Sequence, residues 1–247
     1  LPAEPSSVTI TKDAAGRYFA SFVVDAEPDP LPGTDADTGI DLGLSSFAAF
    51  PDGRTVAAPR FLRRAERGLK RLQQALSRKA KESNNRTKAR VRVARAHARV
   101  ADARRDFHHK LSTAIIRDNQ AVYVEDLAVS GLARSPLAKS VHDAGWSAFV
   151  GMLEYKATKH GRVFIRIGRF VPTTRICSRC GWRGPKLDLS VRTFRCQRCP
   201  LVLDRDVNAA RNILAAGRAE RLTACGDQVR PSMWARVCEA GSHRGVA

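Results

Sequence analysis

The sequence predicts an α/β domain built on a mixed sheet, and three observations predict it. With a long charged helical insertion set aside, the segments run strand, strand, strand, helix, strand, helix, strand, helix, an order that suits a sheet with helices packed against it. The strand candidates are short, β-branched and bounded by Gly, Pro, Asn and Asp. Hydrophobic residues make up 43% of the 247, enough to bury one core with a small satellite.

The elements follow in order. Ser7 to Ile10 and Tyr18 to Val24 flank a turn at Asp13 to Gly16 and predict a hairpin. Alone it buries little, so it reads as the end of a preceding β region. The chain opens on Leu1 and not on Met, which reads as a portion of a longer protein. Glu27 to Thr38, rich in Pro, Asp and Gly, reads as a linker. TGIDLGLSSFAAFPDGRTVAAP then predicts a strand carrying Asp41, a turn near Gly43, a strand through Phe47 to Phe50, the turn Pro51-Asp52-Gly53 and a strand near Thr55 to Ala57. Arg60 to Asp118 is helical. Leu69, Leu72 and Leu76 form one stripe, and Val93, Ala96, Val100, Ala103, Phe107 and Leu111 form another, with a break at Glu82-Ser83-Asn84-Asn85 that folds two helices back on each other. Ala121 to Val124 is a buried strand that delivers Glu125 at its end. Gly131 to Ser140 is basic and irregular. Trp146, Phe149, Val150 and Leu153 mark a helix closed by Gly161, and Val163 to Ile167 is a further strand. Val207 to Ala216 is an Ala-rich helix with Asn208 and Asn212 on one side, and from Gly217 onward the periodicity ends.

Charge restricts the partners. Against 43 Lys and Arg stand 24 Asp and Glu, a net +19 with a pI near 10.7. From Arg60 to Lys110 there are 18 basic and 4 acidic residues. Like charges one helical turn apart destabilise a helix unless an anion neutralises them, so the pattern favours nucleic acid over a small acidic substrate. No apolar run approaches the roughly 18 residues that cross a membrane. There is no signal-peptide pattern, and a cytoplasmic location is expected. No Walker motif and no Ser-His-Asp or Cys-His arrangement is present, and the six histidines lack metal-ligand spacing.

Cys177 and Cys180 in CSRC, and Cys196 and Cys199 in CQRC, are separated by fifteen residues. Two such knuckles joined by a short hairpin close four thiolates around zinc, and four thiolates leave no open position, so this ion is structural. Cys225 and Cys238 have no partner at ligand spacing and read as unligated thiols.

Three acids sit at informative places: Asp41 within its strand, Glu125 at the end of another, and Asp204 or Asp206 at the start of the last helix. A buried carboxylate needs a cation or a partner, and carboxylates converging at strand ends can hold two Mg²⁺ for phosphodiester chemistry. Glu125 continues its strand and is preferred to Asp126, which is better placed to cap the next segment. Asp206 can also be the cap of its helix, and periodicity does not decide between Asp204 and Asp206.

GIDLG at Gly39 to Gly43, VYVEDL at Val122 to Leu127, CSRCG with CQRC, and DRDVNAARNIL at Asp204 to Leu214 together resemble the TnpB-type (OrfB) transposon-associated, RNA-guided DNA endonucleases, relatives of the type V CRISPR nucleases. NNRTKAR at Asn84 to Arg90, DAGW at Asp143 to Trp146 and LEYKATKHG at Leu153 to Gly161 extend the resemblance over roughly Ser7 to Gly217. It implies an RNase H-like (RuvC) fold in residues 39–170, carrying the basic helical hairpin 60–118. It further implies a zinc ribbon for target nucleic acid at 171–203, a final RuvC helix at 204–217, an irregular tail at 218–247, and a remnant of an N-terminal wedge domain with its linker at 1–38. The implied metal-binding acids are Asp41, Glu125 and Asp206, holding Mg²⁺, and the implied partners are a guide RNA from the transposon end and target DNA. Arg86, Lys88 and Arg92 of the hairpin, and Arg169, Arg175, Arg179, Trp182, Arg183 and Arg195 about the ribbon, are the expected nucleic-acid contacts. The sequence departs from the family at Pro200, where glycine usually follows the fourth cysteine, and at the front, where only the last wedge hairpin is present. Two other functions fit the same residues: a nucleic-acid-binding remnant without catalysis, and a cut-and-paste transposase.

Overall fold

The computed structural model describes the chain except residues 2, 26, 189 and 225–247. Cys225, Cys238 and His243 lie outside the described residues. The hairpin forms as β1 (Ser7–Lys12) and β2 (Tyr18–Val23), an antiparallel pair with every residue exposed. The linker is fastened down: Asp29 N–H donates to Lys159 O at 3.0 Å, Leu31 N–H to His160 O at 3.2 Å, and the Arg162 guanidinium to Pro32 O at 2.7 Å. It ends earlier than its composition suggests, because Asp37 and Thr38 already belong to the sheet.

That sheet has five strands, β3 (Asp37–Leu42), β4 (Ser46–Ala49), β5 (Thr55–Ala57), β6 (Ala121–Glu125) and β7 (Val163–Ile167), in the order β5-β4-β3-β6-β7. β3, β4 and β5 pair antiparallel, while β3-β6 and β6-β7 are parallel, so the sheet is mixed as expected. Helices cover both faces. Alternation along β6 sends Val122 and Val124 into a core with Phe47, Ile115, Ile116, Phe149 and Leu153, and Ala121 and Tyr123 into a second core with Ile167, Ile213 and Ala216. The first core is made with α2 (Asn84–Asp118) and α5 (Trp146–Lys159), the second with α6 (Arg205–Ala224).

α1 (Phe61–Ser77) and α2 form the expected basic hairpin, and Ser83 caps α2 by accepting the Arg86 N–H at 3.2 Å. The fully buried residues of α2 are His108, Ser112, Ile115 and Ile116; of the apolar stripe read from periodicity, Phe107 and Leu111 pack half-buried against the same core, and the others are half-buried or exposed. His108 and Ser112 are tolerated there because each is hydrogen-bonded: His108 Nε2 donates to Ala144 O at 2.9 Å, and Lys156 Nζ donates to Ser112 Oγ at 2.8 Å. The region expected to be irregular contains two short helices, α3 (Val129–Leu132) and α4 (Ala138–Ala144). Buried Asp143 at the end of α4 caps α1 from outside, accepting the Leu62 and Arg63 N–H groups at 2.8 and 3.2 Å.

The last helix does not stop at the glycine where periodicity ends. α6 continues to Ala224, and Gly217 sits inside it because the Tyr123 ring occupies the space of a side chain: a Cβ there would lie 2.1 Å from Tyr123 Cδ1. At Gly39 on β3 the approach is closer still in kind, main chain on main chain, with a built Cβ 2.4 Å from both Ala210 O and Leu214 N.

Candidate functional site

Alternation places two of the predicted acids. Gly39 faces α6, so Asp41 faces α6 as well, and Glu125 follows Ala121 and Tyr123 on that same side. Asp41 and Glu125 lie one step beyond the last ladder pair, Ile40 with Val124, on adjacent parallel strands. Asp206 enters from the first turn of α6. Both of the other acids act on Asp41. Burial pushes the Asp41 carboxyl up to about 8, the charges of Asp206 and Glu125 push the same way, and Arg205 and Arg192 push back. Glu125 is also raised, chiefly by burial, while the Thr173 hydroxyl, donating to its Oε2 at 3.3 Å, works in the opposite direction.

The structure separates the two acids that spacing left open. Asp204 is the cap of α6: its Oδ1 accepts the Asp206 N–H at 2.8 Å and the Val207 N–H at 3.2 Å. The capping role allowed for Asp206 therefore belongs to its neighbour, and Asp206 is left facing Asp41. Asp126 caps nothing; it is paired with Arg169, whose Nε donates to Oδ2 at 3.0 Å. Sequence reasoning missed Arg192, which comes from the insertion between the knuckles and hydrogen-bonds Asp206 Oδ2. Arg205 Nε stands 3.7 Å from the other oxygen. Among so many arginines no local signal singled out Arg192. Gly43 lies beside the same carboxylate, where a built Cβ would stand 3.9 Å from Asp206 Oδ2 and, too close for a side chain, 2.9 Å from Ser46 O. Beside Gly43 a cleft of about 330 Å³ opens, lined also by Ser45, Phe61, Arg60, Arg63 and Ser140.

The four cysteines converge. Cys177 and Cys199 sulfurs are 3.6 Å apart, as are those of Cys180 and Cys196. Tetrahedral thiolates at about 2.3 Å from one ion would stand at about 3.8 Å. Among the described residues this is the one group of three or more such ligands whose donor atoms all lie within 4.8 Å; the three carboxylates do not meet that spacing. Burial pushes the Cys177 thiol up to about 12. Burial acts the same way on Cys196 but is outweighed by N–H groups of Arg198, at 3.3 Å from the sulfur, and Cys199, which bring it down to about 7. The knuckles differ. In the first, Gly181 takes φ 72° and donates to Cys177 O at 2.9 Å. In the second, Pro200 has no N–H to give, and the turn is held by Cys196 N–H to Leu201 O at 3.0 Å and by strands β8 (Thr193–Arg195) and β9 (Val202–Asp204).

Residues 21–136 match a family model described as "Probable transposase" (OrfB_IS605), and residues 146–213 match one described as "Cas12f1-like, TNB domain". A Streptomyces pristinaespiralis protein named "Putative RNA-guided DNA endonuclease" is 47% identical over 230 residues, which cover 93% of this chain and 56% of that protein. The Escherichia coli K12 protein "Putative RNA-guided DNA endonuclease InsQ" is 32% identical over 241 residues, 91% of this chain and 59% of the relative. The chain belongs to the OrfB/TnpB family. It spans a little over half the length of these relatives. A solved Cas12f1–sgRNA–target DNA complex shares the fold, with a TM-score of 0.58 at 15% identity, covering 85% of this chain and 45% of that one.

The residues of this OrfB/TnpB chain expected to meet nucleic acid divide into two sets. Arg86 is occupied, donating to Leu76 O at 3.3 Å and Lys79 O at 3.1 Å at the end of α1. Arg169 is paired with Asp126, and Arg175 donates to Gly184 O at 3.1 Å. Trp182 lies over Gly184, whose built Cβ would be 2.7 Å from the indole, so its ring packs on the chain beside the first cysteine knuckle. Arg92, Arg179, Arg183 and Arg195 are exposed, and Lys88 shares a shallow groove with Leu72 and Arg92. No helix among the described residues is long and apolar enough to cross a membrane.

Proposed function

We propose that this chain is the RuvC-type, RNase H-like nuclease portion of an RNA-guided DNA endonuclease, with a zinc ribbon in residues 171–203 inserted before its last helix. The observation that carries the proposal is the placement of Asp41, Glu125 and Asp206 on one side of the sheet, where burial first, and then the charges of Asp206 and Glu125, lift Asp41 to about 8. Three oxygen donors that repel one another suit a hard divalent cation, as four close thiols suit zinc. Magnesium bound by these acids would polarise the scissile phosphate and activate water. The chain's own residues do the rest. Thr173 orients Glu125, Asp204 fixes the start of α6 so that Asp206 faces the strand ends, and Arg192, once a cation takes its place on Asp206, is free to meet a phosphate.

The guide RNA and target DNA of the relatives are assigned to this chain on the same reading, with Lys88 and Arg92 on the helical hairpin and Arg179, Arg183 and Arg195 on the ribbon as exposed backbone contacts. The test is cleavage of labelled single-stranded and guide-matched DNA with magnesium by the wild type and by Asp206→Asn. A loss of about 10³-fold or more is expected for the variant. Equal metal-dependent cleavage by both would remove Asp206 from the mechanism, and joining of the cut ends would point to strand transfer in its place.

A further inference from the structure

The segment 173–178, which leads into the first knuckle, is held at three points by hydrogen bonds from two buried asparagines. Asn208 Nδ2 donates to Ile176 O at 2.7 Å, and its Oδ1 accepts the Ser178 N–H at 3.0 Å. Asn212 Nδ2 donates to Thr173 O and to Ile176 O, both at 2.6 Å. Both asparagines are fully buried. Ser178 lies between the ligands Cys177 and Cys180, so Asn208 holds the inside of the metal knuckle itself. At the other end of the segment the Thr173 hydroxyl donates to Glu125. Asn208 stands two residues after Asp206 in the same helix. The thiol site and two of the three carboxylates are therefore tied to one short stretch of backbone, Asp206 by way of Asn208 and Asn212 on its own helix and Glu125 by the Thr173 hydroxyl.

We propose that Asn208 is a positioning residue that couples the four-cysteine site to the carboxylates, so that filling one site raises the affinity of the other. The proposal rests on the reading of Asp41, Glu125 and Asp206 as divalent-metal ligands. With the four cysteines holding an ion, the Ser178 N–H would be fixed in place, and Asn208, bonded to it, would hold the first turn of α6 and the direction of Asp206. Loss of that ion frees the knuckle and loosens the same turn. Linkage requires the effect to be equal in both directions.

The experiment measures that reciprocity on the 247-residue chain. Cobalt is titrated into the zinc-free protein with and without millimolar magnesium, and its tetrahedral thiolate absorption reports the cysteine site. Manganese is titrated, by electron paramagnetic resonance, into protein with the cysteine site empty or filled. Coupled sites shift each other's affinity by about 5- to 150-fold, and a factor of about 10 is expected here in both titrations. In Asn208→Leu the factor falls to about 1 while the cobalt spectrum keeps its tetrahedral thiolate form. Thr173→Val, which removes only the hydroxyl to Glu125, lowers the factor without abolishing it, and it carries the test if Asn208→Leu does not fold. A factor that survives unchanged in the folded variants, or that is absent from the wild type, overturns the proposal. Manganese binding that needs Asp206, tested with Asp206→Asn, but ignores cobalt overturns the coupling alone. Manganese binding indifferent to Asp206→Asn overturns the reading of the acids and the coupling with it.

Discussion

The four-cysteine cluster and the three carboxylates proposed as a second metal site are prepared in opposite ways. Four thiols are drawn within 4.8 Å by two backbone knuckles, with one sulfur already brought down to about 7 by N–H donors. Three carboxylates share a face without meeting that spacing, and in the metal-free chain a proton on Asp41 and the guanidinium of Arg192 on Asp206 offset their repulsion. The difference follows from the donors. Thiols can sit together uncharged, so the fold can assemble their site in advance, whereas ionised carboxylates repel until a cation arrives. The cysteine cluster is thus part of the architecture, and the acid site, on the proposed reading, is one that its ligand would complete.

Breaking the preassembled site should have the largest effect. Cys180→Ser removes one of four thiolates, and a drop in zinc affinity of about 10³-fold or more is expected, read by competition with a chromophoric chelator. The strands β8 and β9 should lose their hydrogen-exchange protection with the ion while the five-stranded sheet keeps its own.

The acid site should instead respond to pH. Folded, metal-free protein keeps a proton on Asp41 up to about pH 8, whereas an unperturbed Asp releases it near 3.8. Between those values the folded state binds more protons than the unfolded state, so metal-free stability falls as pH rises from about 4 to about 8. Asp41→Asn removes that slope, which denaturant melts across this pH range would show. Magnesium must displace the same proton, so its affinity should rise by about tenfold per pH unit toward pH 8 and then level off, measured by calorimetry.

The smallest effect sharpens the contrast. Arg192→Gln takes a competing cation off Asp206 and should tighten magnesium binding by roughly 3- to 10-fold, a change of the size expected for a half-exposed ion pair. Zinc binding should not move. A weaker magnesium affinity in this variant would mean that Arg192 holds Asp206 in its binding pose and does not compete for it.

Much of this was legible in the sequence, for physical reasons that also explain the rest. The mixed sheet, the basic hairpin and the cysteine knuckles announce themselves through period-two and period-3.6 patterns and through ligand spacing, all of them local. The choice between Asp204 and Asp206 was not local. One caps and the other faces Asp41 because of how α6 lies on β3, and periodicity carries no information about that angle. The burial of His108 and Ser112 on α2 escaped because they owe it to partners on other elements. The extension of α6 past Gly217 was hidden because that glycine answers to Tyr123, far away in sequence, and not to a helix end. Arg192 was invisible for the same kind of reason: its importance lies in where the insertion folds back.

Gly39 sets a tolerance for the whole site. Strand β3 and helix α6 meet there as bare main chain, two residues from Asp41 and one turn of helix past Asp206. Side chains act as shims in most helix–sheet contacts, and a swap of Ala for Val can retune the gap. Here there is no shim to exchange, so the separation between the strand that carries one acid and the helix that carries another is a fixed dimension of the backbone. Changes elsewhere in either core can alter how firmly the site is held, but the gauge of the gap is machined into the one position that has no side chain.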